Sequence, residues 1–348
     1  MSATRAIAAS ALLALGGGCA QSSPPRAISD GRLAMGTLLE ISLEGVNARR
    51  AARALDDAFA EALRLDGLLS IYDPASEISR LNRAAGRGLQ PVDPAVAEVL
   101  ALSIRYAELT AGAFDVTVGP LVDLWRRAAE RGAPPSAAEL ADARARVGAQ
   151  QIRLAPGQAA LAHAGAMLDL GGIAKGYALD RMLPLLERRG VTRALLSFGQ
   201  SSIWAIGAPE QLDGWRLFVR APDGGLAGLI TLRDQALSVS GSQGQWVEIG
   251  GRRYGHIVDP RSGEPLRVAR QALVVAPSAA LAEALSVALL VLDAQAGLAL
   301  VDAQAGCEAL LIEEGGELRS TPGWQAAARF EPLSPAPPLP TPRPGARG

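Results

Sequence analysis

Aromatic side chains are scarce in this 348-residue sequence, at 4% of the total, and histidine is scarcer still, with His163 and His256 alone. Proteins that hold single-stranded nucleic acid need aromatic faces for the bases and a cationic track for the phosphates. Neither is present: 34 Lys+Arg are offset by 35 Asp+Glu, no basic run stands out, and nucleic acid is not an expected partner. Two histidines argue against a multi-histidine zinc centre, and His163, inside the apolar run "LAHAGAML", reads as structural. Also missing are the G-x-x-x-x-G-K-[ST] phosphate loop, the G-x-G-x-x-G dinucleotide fingerprint and any repeat of solenoid period.

What is present is a chain with 49% hydrophobic residues, enough to bury a sizeable core in one large or two ordinary domains. The opening "MSATRAIAASALLALGGGCAQSS" places Arg5 before an apolar stretch from Ile7 to Leu15, then small residues running into Cys19. That stretch is too short to cross a bilayer as a helix and reads as an export signal over residues 1–19. Gly18-Cys19 resembles the lipobox of bacterial lipoproteins, with Gly16 where Leu is usual, so a lipid bilayer held through Cys19 is an expected partner. Simple cleavage and an uncleaved anchor are the alternatives. With Cys19 lipidated, Cys307 is left as the one thiol and no intrachain disulfide can form. At the other end "LSPAPPLPTPRPGARG" is too rich in proline to pack. Residues 30–330 are therefore assigned to the folded body and 331–348 to a Pro-rich disordered tail.

The body alternates helical and strand-like patterns. Leu39, Ile41 and Leu43 alternate as a half-buried strand does, and Leu55, Phe59 and Leu63 mark one helical face within Ala51 to Leu69. Asp93-Pro94 caps and starts another helix, and "SAAE" from Ser136 to Glu139 is a capping box. Later runs are strand-like: Ala194 to Phe198, Trp215 to Arg220, Leu229 to Leu232, Ala272 to Ala276, and hairpins at Gly250-Gly251 and Gly315-Gly316. Helices and strands in this irregular succession make an α+β or mixed α/β body.

Four stretches carry more polar and glycine residues than packing needs. "LSIYDPASEISRLNR" sets Tyr72, Glu77, Ser79 and Asn82 close together, either as a ligand surface or as a capped helix–turn–helix. "TAGAFDVTVGPLVDLW" flanks Phe114 and Asp115 with small residues, so backbone and carboxylate could approach a ligand, or simply join two helices. "LDLGGIAKGYALD" precedes a helix expected from Tyr177 to Arg189, kinked near Pro184. Glycines at a helix start free N–H groups for an anion and Lys175 adds a compact positive charge, a combination suited to a diphosphate. "PSAALAEALSVALLVLD" is a helix capped by Ser278 with Leu281, Leu285, Leu289 and Leu292 as its core stripe; by position alone Glu283 reads as a surface carboxylate.

In order, Met35-Gly36-Thr37, Ser70 to Asn82, Gly112 to Leu121, Asp169 to Tyr177, Ser240-Gly241, His256 to Gly263 and Ala282 to Ala288 make a set that resembles the ApbE family of FAD:protein FMN transferases. The likeness covers roughly residues 33 to 320. It implies an α+β, mixed-sheet body with packed helices in a single large domain. It further implies that FAD is the substrate and Mg²⁺ the cofactor. The FMN half passes to a Thr or Ser hydroxyl on the exported acceptor domain of a flavinylated redox protein, with release of AMP on the periplasmic side of a bacterial membrane. Position by position, Met35 and Tyr72 are the implied flavin contacts, Ala113, Phe114 and Asp115 line the cofactor site, and Asp169 and Lys175 hold the remainder of FAD. Ile257 stands at the pocket wall, the Gly172 carbonyl and Glu283 are the implied metal ligands, and His256 is the implied base, an imidazole being a group that titrates near working pH.

Departures from the family pattern concentrate at the metal. Its helix carries Asp and Thr four residues apart where this chain has Glu283 and Val287, and Val287 offers no oxygen to a cation that takes oxygen ligands. Val239 stands where Thr is usual, Ser242 and Gln243 replace an acidic or amide residue and Tyr, and Gly199-Gln200-Ser201 replaces Gly-Gly-Asp. A flavin-binding lipoprotein that has lost transfer, or an FAD diphosphatase giving FMN and AMP, are the alternative readings.

Overall fold

The computed structural model describes residues 27–222, 224–242 and 246–333; the export signal with Cys19, and the tail from 334 onward, lie outside the described residues. The chain opens with the hairpin β1 (Ile28–Ala34) and β2 (Thr37–Leu43), followed by α1 (Ala48–Leu69), α2 (Glu77–Arg83), the short β3 (Gln90–Pro91) and α3 (Pro94–Leu109). Next come α4 (Gly119–Arg131), α5 (Ala137–Arg144), β4 (Ile152–Ala155), β5 (Gln158–Leu161) and α6 (Ala174–Arg188). A run of strands follows: β6 (Ala194–Phe198), β7 (Ser202–Ile206), β8 (Trp215–Arg220), β9 (Leu226–Leu232), β10 (Gln235–Gly241), β11 (Trp246–Ile249), β12 (Arg252–Gly255) and β13 (Gln271–Ala276). Helices α7 (Ala279–Val291) and α8 (Ala294–Asp302), then β14 (Glu308–Ile312), β15 (Leu318–Ser320), α9 (Trp324–Ala328) and β16 (Glu331–Pro332) complete it.

An antiparallel sheet in the order β1-β2-β6-β7-β10-β13-β14-β15 organises this α+β body. Strand side chains alternate between faces, so each central strand serves two cores. In β13, Ala272, Val274 and Ala276 face the helical layer with α1, α6 and α7, while Leu273 and Val275 face a second layer made by β8, β9 and α9. The same alternation puts Ser202 and Trp204 of β7, and Ala236 and Ser238 of β10, on the helical side. A third small core joins α4 and α5 to the β11–β12 hairpin through Trp125, Tyr254 and Val258.

The caps read from the sequence are in place. The Asp93 side chain accepts from Ala95 N at the start of α3, and Ser136 and Glu139 form a reciprocal capping box on α5. Gly250 and Gly251 turn the β11–β12 hairpin with φ of 58° and 75°, a backbone region that glycine enters without steric cost.

Three expectations are corrected. Leu63 is 48% exposed: steps of four residues overshoot the 3.6-residue turn, so the buried stripe of α1 drifts from Leu55 and Phe59 to Ala62, Leu65 and Leu69. Helix α6 starts at Ala174, three residues ahead of Tyr177, which places Lys175 and Gly176 in its first turn. Glu331–Pro332, assigned to the tail, pairs with β9 as an edge strand, where the missing N–H of proline does no harm.

Two features lock α6 against α7. A β-carbon at Gly176 would clash with the Ala279 carbonyl oxygen, so only glycine allows this approach. One turn later the Asp180 carboxylate accepts from Ser278 Oγ at 2.8 Å, Ala279 N at 2.8 Å, Ala280 N at 3.0 Å and Trp204 Nε1 at 3.0 Å. A carboxylate at a helix N-terminus takes up unpaired N–H groups and opposes the helix dipole. Gly176→Ala is expected to destabilise the fold by about 1–3 kcal/mol, the usual cost of overpacking, read as a lower urea midpoint. An unchanged midpoint would contradict the close packing of α6 on α7.

Candidate active site

Residues 168–173 form a loop, leading into α6, whose shape is held from outside. Asn82 grips Leu168 from both sides, its amide nitrogen donating to the Leu168 carbonyl at 3.1 Å and its amide oxygen accepting from Leu168 N at 2.7 Å. Asp169 N then donates to the Val116 carbonyl at 2.7 Å, tying this loop to the one that carries Phe114. The Asp169 carboxylate accepts from Gly171 N at 2.9 Å; burial pushes its pKa up, opposed by that hydrogen bond and by the Lys175 charge. Ile173 precedes α6 with no side-chain capping bond, so the helix start keeps the character of an anion site.

Facing this loop is α7, whose residues are buried nearly all round, including Ala280, Ala284, Leu285, Ala288 and Leu289. A helix apolar on all sides is a core helix, and Glu283 is therefore buried at 3% exposure, not a surface carboxylate as its position suggested. Its Oε1 accepts from Ser202 Oγ in a very short hydrogen bond and lies 3.3 Å from Lys175 Nζ, which also donates to the Gly171 carbonyl at 3.3 Å. Its Oε2 is buried with no hydrogen-bond partner. One turn further along, Val287 turns to the same loop: a β-carbon on Gly172 would lie 3.3 Å from Val287 Cγ2 and 3.3 Å from the ring of Phe114. Phe114, Gly172, Lys175, Glu283 and Val287 thus converge, though they come from three separate segments.

Phe114 is presented by a left-handed turn at Ala111 and Gly112, with φ of 49° and 77°. Thr110 Oγ1 accepts from Phe114 N at 3.1 Å and donates to the Tyr106 carbonyl at 2.8 Å, which fixes the turn. Ala113 and Phe114 are buried. Asp115 is buried too, but its Oδ1 accepts from Thr117 N at 2.8 Å and Thr117 Oγ1 at 2.6 Å, and burial raises its pKa. The Oδ1 hydrogen bonds of that carboxylate shape the loop itself.

Of the remaining candidates, Met35 sits at the β1–β2 turn with φ 50°, and its N–H donates to Asp66 Oδ2 at 2.8 Å. A non-glycine residue held there carries strain of about 1 kcal/mol or more. The neighbouring Thr37 abuts the β6–β7 turn at Gly199, three residues before Ser202, so the hairpin tip is linked to the Glu283 side of the site. His256 is exposed, and Ile257 is half-buried against the main core that includes Phe114. The turn after them is closed by Gly263 N donating to the Asp259 carbonyl at 2.8 Å and anchored by Trp125 Nε1 donating to the Gly263 carbonyl at 2.8 Å. Arg261 Cγ comes within 3.7 Å of a β-carbon placed on Gly112, so this turn lies beside the Phe114 loop. Tyr72 is 90% exposed on the turn before α2 and is not drawn into the cluster. Glu77 and Ser79 serve that turn and its neighbours: Glu77 accepts from Asp93 N at 2.7 Å and Ser79 Oγ donates to the Ser70 and Ile71 carbonyls. His163 is exposed, so its apolar neighbours in sequence do not bury it.

Sequence reasoning missed Ser202, Asp180 and the hydroxyl chain in which Ser286 meets Ser238 at 2.9 Å and Ser240 at 2.8 Å. Asp180 had a signal, since it ends the glycine-lysine stretch one helical turn after Gly176. Ser202 had none, because its partner lies 81 residues away.

Comparison with known proteins identifies the family. Residues 35–311 match the ApbE family, and the chain belongs to it. It is 29% identical over 309 residues to an FAD:protein FMN transferase of Salmonella typhimurium, covering 84% of this chain and 86% of that one. It is 30% identical over 328 residues to the FAD:protein FMN transferase of Treponema pallidum, covering 88% and 90%. Among solved structures, the flavin transferase ApbE from Vibrio cholerae superposes with a TM-score of 0.75 at 25% identity, over 87% of this chain and 100% of that one. The ApbE protein of Thermotoga maritima gives 0.77 at 26%, over 87% and 99%.

Asp180→Ala removes the acceptor for four donors at the α6–α7 junction. With each buried donor left unpaired costing about 1–3 kcal/mol before relaxation, the net loss is expected to be at least ~2 kcal/mol in urea denaturation. A change in Trp fluorescence from the freed Trp204 should accompany it; wild-type stability would show that the junction does not depend on this carboxylate.

Proposed function

We propose that this protein cleaves FAD and transfers its FMN half to a Thr or Ser hydroxyl of an exported redox-protein domain, releasing AMP. The observation that carries the reading is the pairing of Lys175 with Oε1 of Glu283, whose Oε2 is left unpartnered, at the uncapped start of α6 and next to a loop where Gly172 packs against Phe114. A cation, a helix N-terminus and an apolar ring next to a free carboxylate oxygen suit a diphosphate joined to a flat heterocycle.

The donor set is compatible with Mg²⁺ of a particular kind. Among the described residues no group of three or more His, Cys, Asp or Glu could hold a metal ion. Mg²⁺ commonly keeps several waters and takes one or two carboxylates together with substrate phosphates, and here Glu283, whose Oε2 is unpartnered, and the Gly172 carbonyl would be the protein ligands. Bound there, the ion would neutralise charge on the diphosphate. Lys175 does the same from the helix side, Asp169 shapes the loop that presents both, and Met35, Ala113, Phe114, Tyr72 and Ile257 are assigned to the flavin half.

Phosphoryl transfer asks chiefly for positioning and charge stabilisation. The acceptor hydroxyl oxygen bonds to the phosphorus on the FMN side of the diphosphate, the P–O bond to the AMP phosphate breaks, and the hydroxyl proton leaves to a base. His256 is the assigned base: it is exposed, as a group that must meet a hydroxyl on another protein has to be, and its turn is anchored beside the Phe114 loop. Export to the periplasmic side and lipid anchoring through Cys19 complete the proposal, since they place the enzyme with an exported acceptor.

Val287 motivates a second reading, FAD binding without transfer, and diphosphatase action a third. Incubating the mature protein with FAD, Mg²⁺ and an acceptor domain distinguishes them: in-gel flavin fluorescence on the acceptor with equimolar AMP is expected. Intact bound FAD, or AMP with free FMN, would replace the transferase assignment with one of the other two. His256→Ala is expected to lower transfer by about 100-fold or more, the usual worth of a general base, with FAD affinity retained. Equal loss of FAD binding would make His256 a ligand contact instead.

A further inference from the structure

We infer that Lys175 and Glu283 form a latch, so that a diphosphate and a divalent cation enter this site only together, each taking one half of a broken ion pair. The inference rests on the diphosphate reading above and adds a coupling that neither residue's presence alone requires.

In the free protein Glu283 needs compensation, because its side chain is 4% exposed and an unpaired buried carboxylate is strongly unfavourable. The partners available to it are few. Ser202 Oγ and Lys175 Nζ both address Oε1, and Oε2 has none. Ser286, on the same helix, is engaged elsewhere, with Ser238, Ser240 and the Glu283 backbone carbonyl. Val287, one turn along the same helix, and Phe114 bring only carbon to the neighbouring Gly172. Among the described residues Lys175 is therefore the cationic group paired with this carboxylate, and at 22% side-chain exposure it still reaches solvent.

Each ligand alone meets an engaged partner. A divalent cation approaching Glu283 encounters a carboxylate already neutralised by an ammonium at 3.3 Å, and Val287 supplies no oxygen to offset the repulsion. A diphosphate approaching Lys175 must draw the ammonium from the same carboxylate and leave that carboxylate buried without its counter-charge. When both arrive, Lys175 turns on its flexible stem to the diphosphate and the cation takes Glu283, while diphosphate oxygens fill the coordination positions that Val287 leaves empty. The result is positive coupling, and it must be reciprocal.

Two variants test the latch from opposite sides. Free Mn²⁺ is followed by electron paramagnetic resonance in titrations of wild type and Lys175→Met without nucleotide. ADP binding in EDTA is followed by calorimetry for wild type and Glu283→Gln, and FAD binding with saturating Mg²⁺ by flavin fluorescence for all three. Removing the lysine should tighten Mn²⁺ binding, and removing the carboxylate should tighten ADP binding, each about tenfold, within the usual range of coupling between sites. If folded Lys175→Met binds Mn²⁺ no better than wild type, or Glu283→Gln binds ADP no better, the latch is wrong. If Lys175→Met fails to fold, the Glu283→Gln arm decides alone. Wild type that binds FAD with Mg²⁺ while neither variant gains affinity sinks the latch and leaves the diphosphate reading standing. Wild type that binds neither FAD nor ADP sinks the diphosphate reading itself.

Discussion

A carboxylate buried at 3% exposure on an otherwise apolar helix is the constraint from which the site follows. Glu283 has to meet positive charge or a hydroxyl, and the fold must bring these from elsewhere: Ser202 from the start of β7 and Lys175 from the first turn of α6. That is possible because Gly176 lets α6 touch the backbone of α7 and Asp180 binds the first N–H groups of α7. The alternation of β7 and β10 then places Ser202 and Ser238 on the sheet face under the same helix. Remove the helix junction and the charge pair has no reason to form.

Much of the architecture was legible in the sequence because it is written locally. The Asp93 cap, the Ser136–Glu139 capping box, the glycine hairpin of β11–β12 and the alternation in β2 depend on residues within a few positions of one another. The site was legible in part, as a set of motifs whose order resembled one family. What could not be read locally were the long-range pairings. Glu283 looked like a surface carboxylate because its own helix gives no sign that every face is covered. The use of Asp115 Oδ1 by Thr117 likewise appears only in three dimensions. Asn82, placed with Tyr72 in one supposed surface, turned out to hold Leu168 across 86 residues.

The family resemblance and the physical reading differ in where they set their weight. Sequence likeness points to a run of motifs of comparable importance, whereas the structure separates a tight cluster of Phe114, Gly172, Lys175 and Glu283 from contacts that stand farther out, Tyr72 above all. Val287 lies against Gly172 and brings only carbon there; on the proposed reading the substrate's own phosphates would supply the ligands it does not. On the proposed reading a site built this way would hold its cation through its substrate, with Lys175 serving both as counter-ion and as phosphate partner.

The most direct measurement is a crystal structure with FAD and Mn²⁺, using the anomalous signal of the manganese to place the ion. The expected peak lies between the Gly172 carbonyl and the Glu283 carboxylate, with Lys175 Nζ moved from Glu283 to the FAD diphosphate. A manganese peak elsewhere, or FAD bound with the Lys175–Glu283 pair still closed, would contradict it.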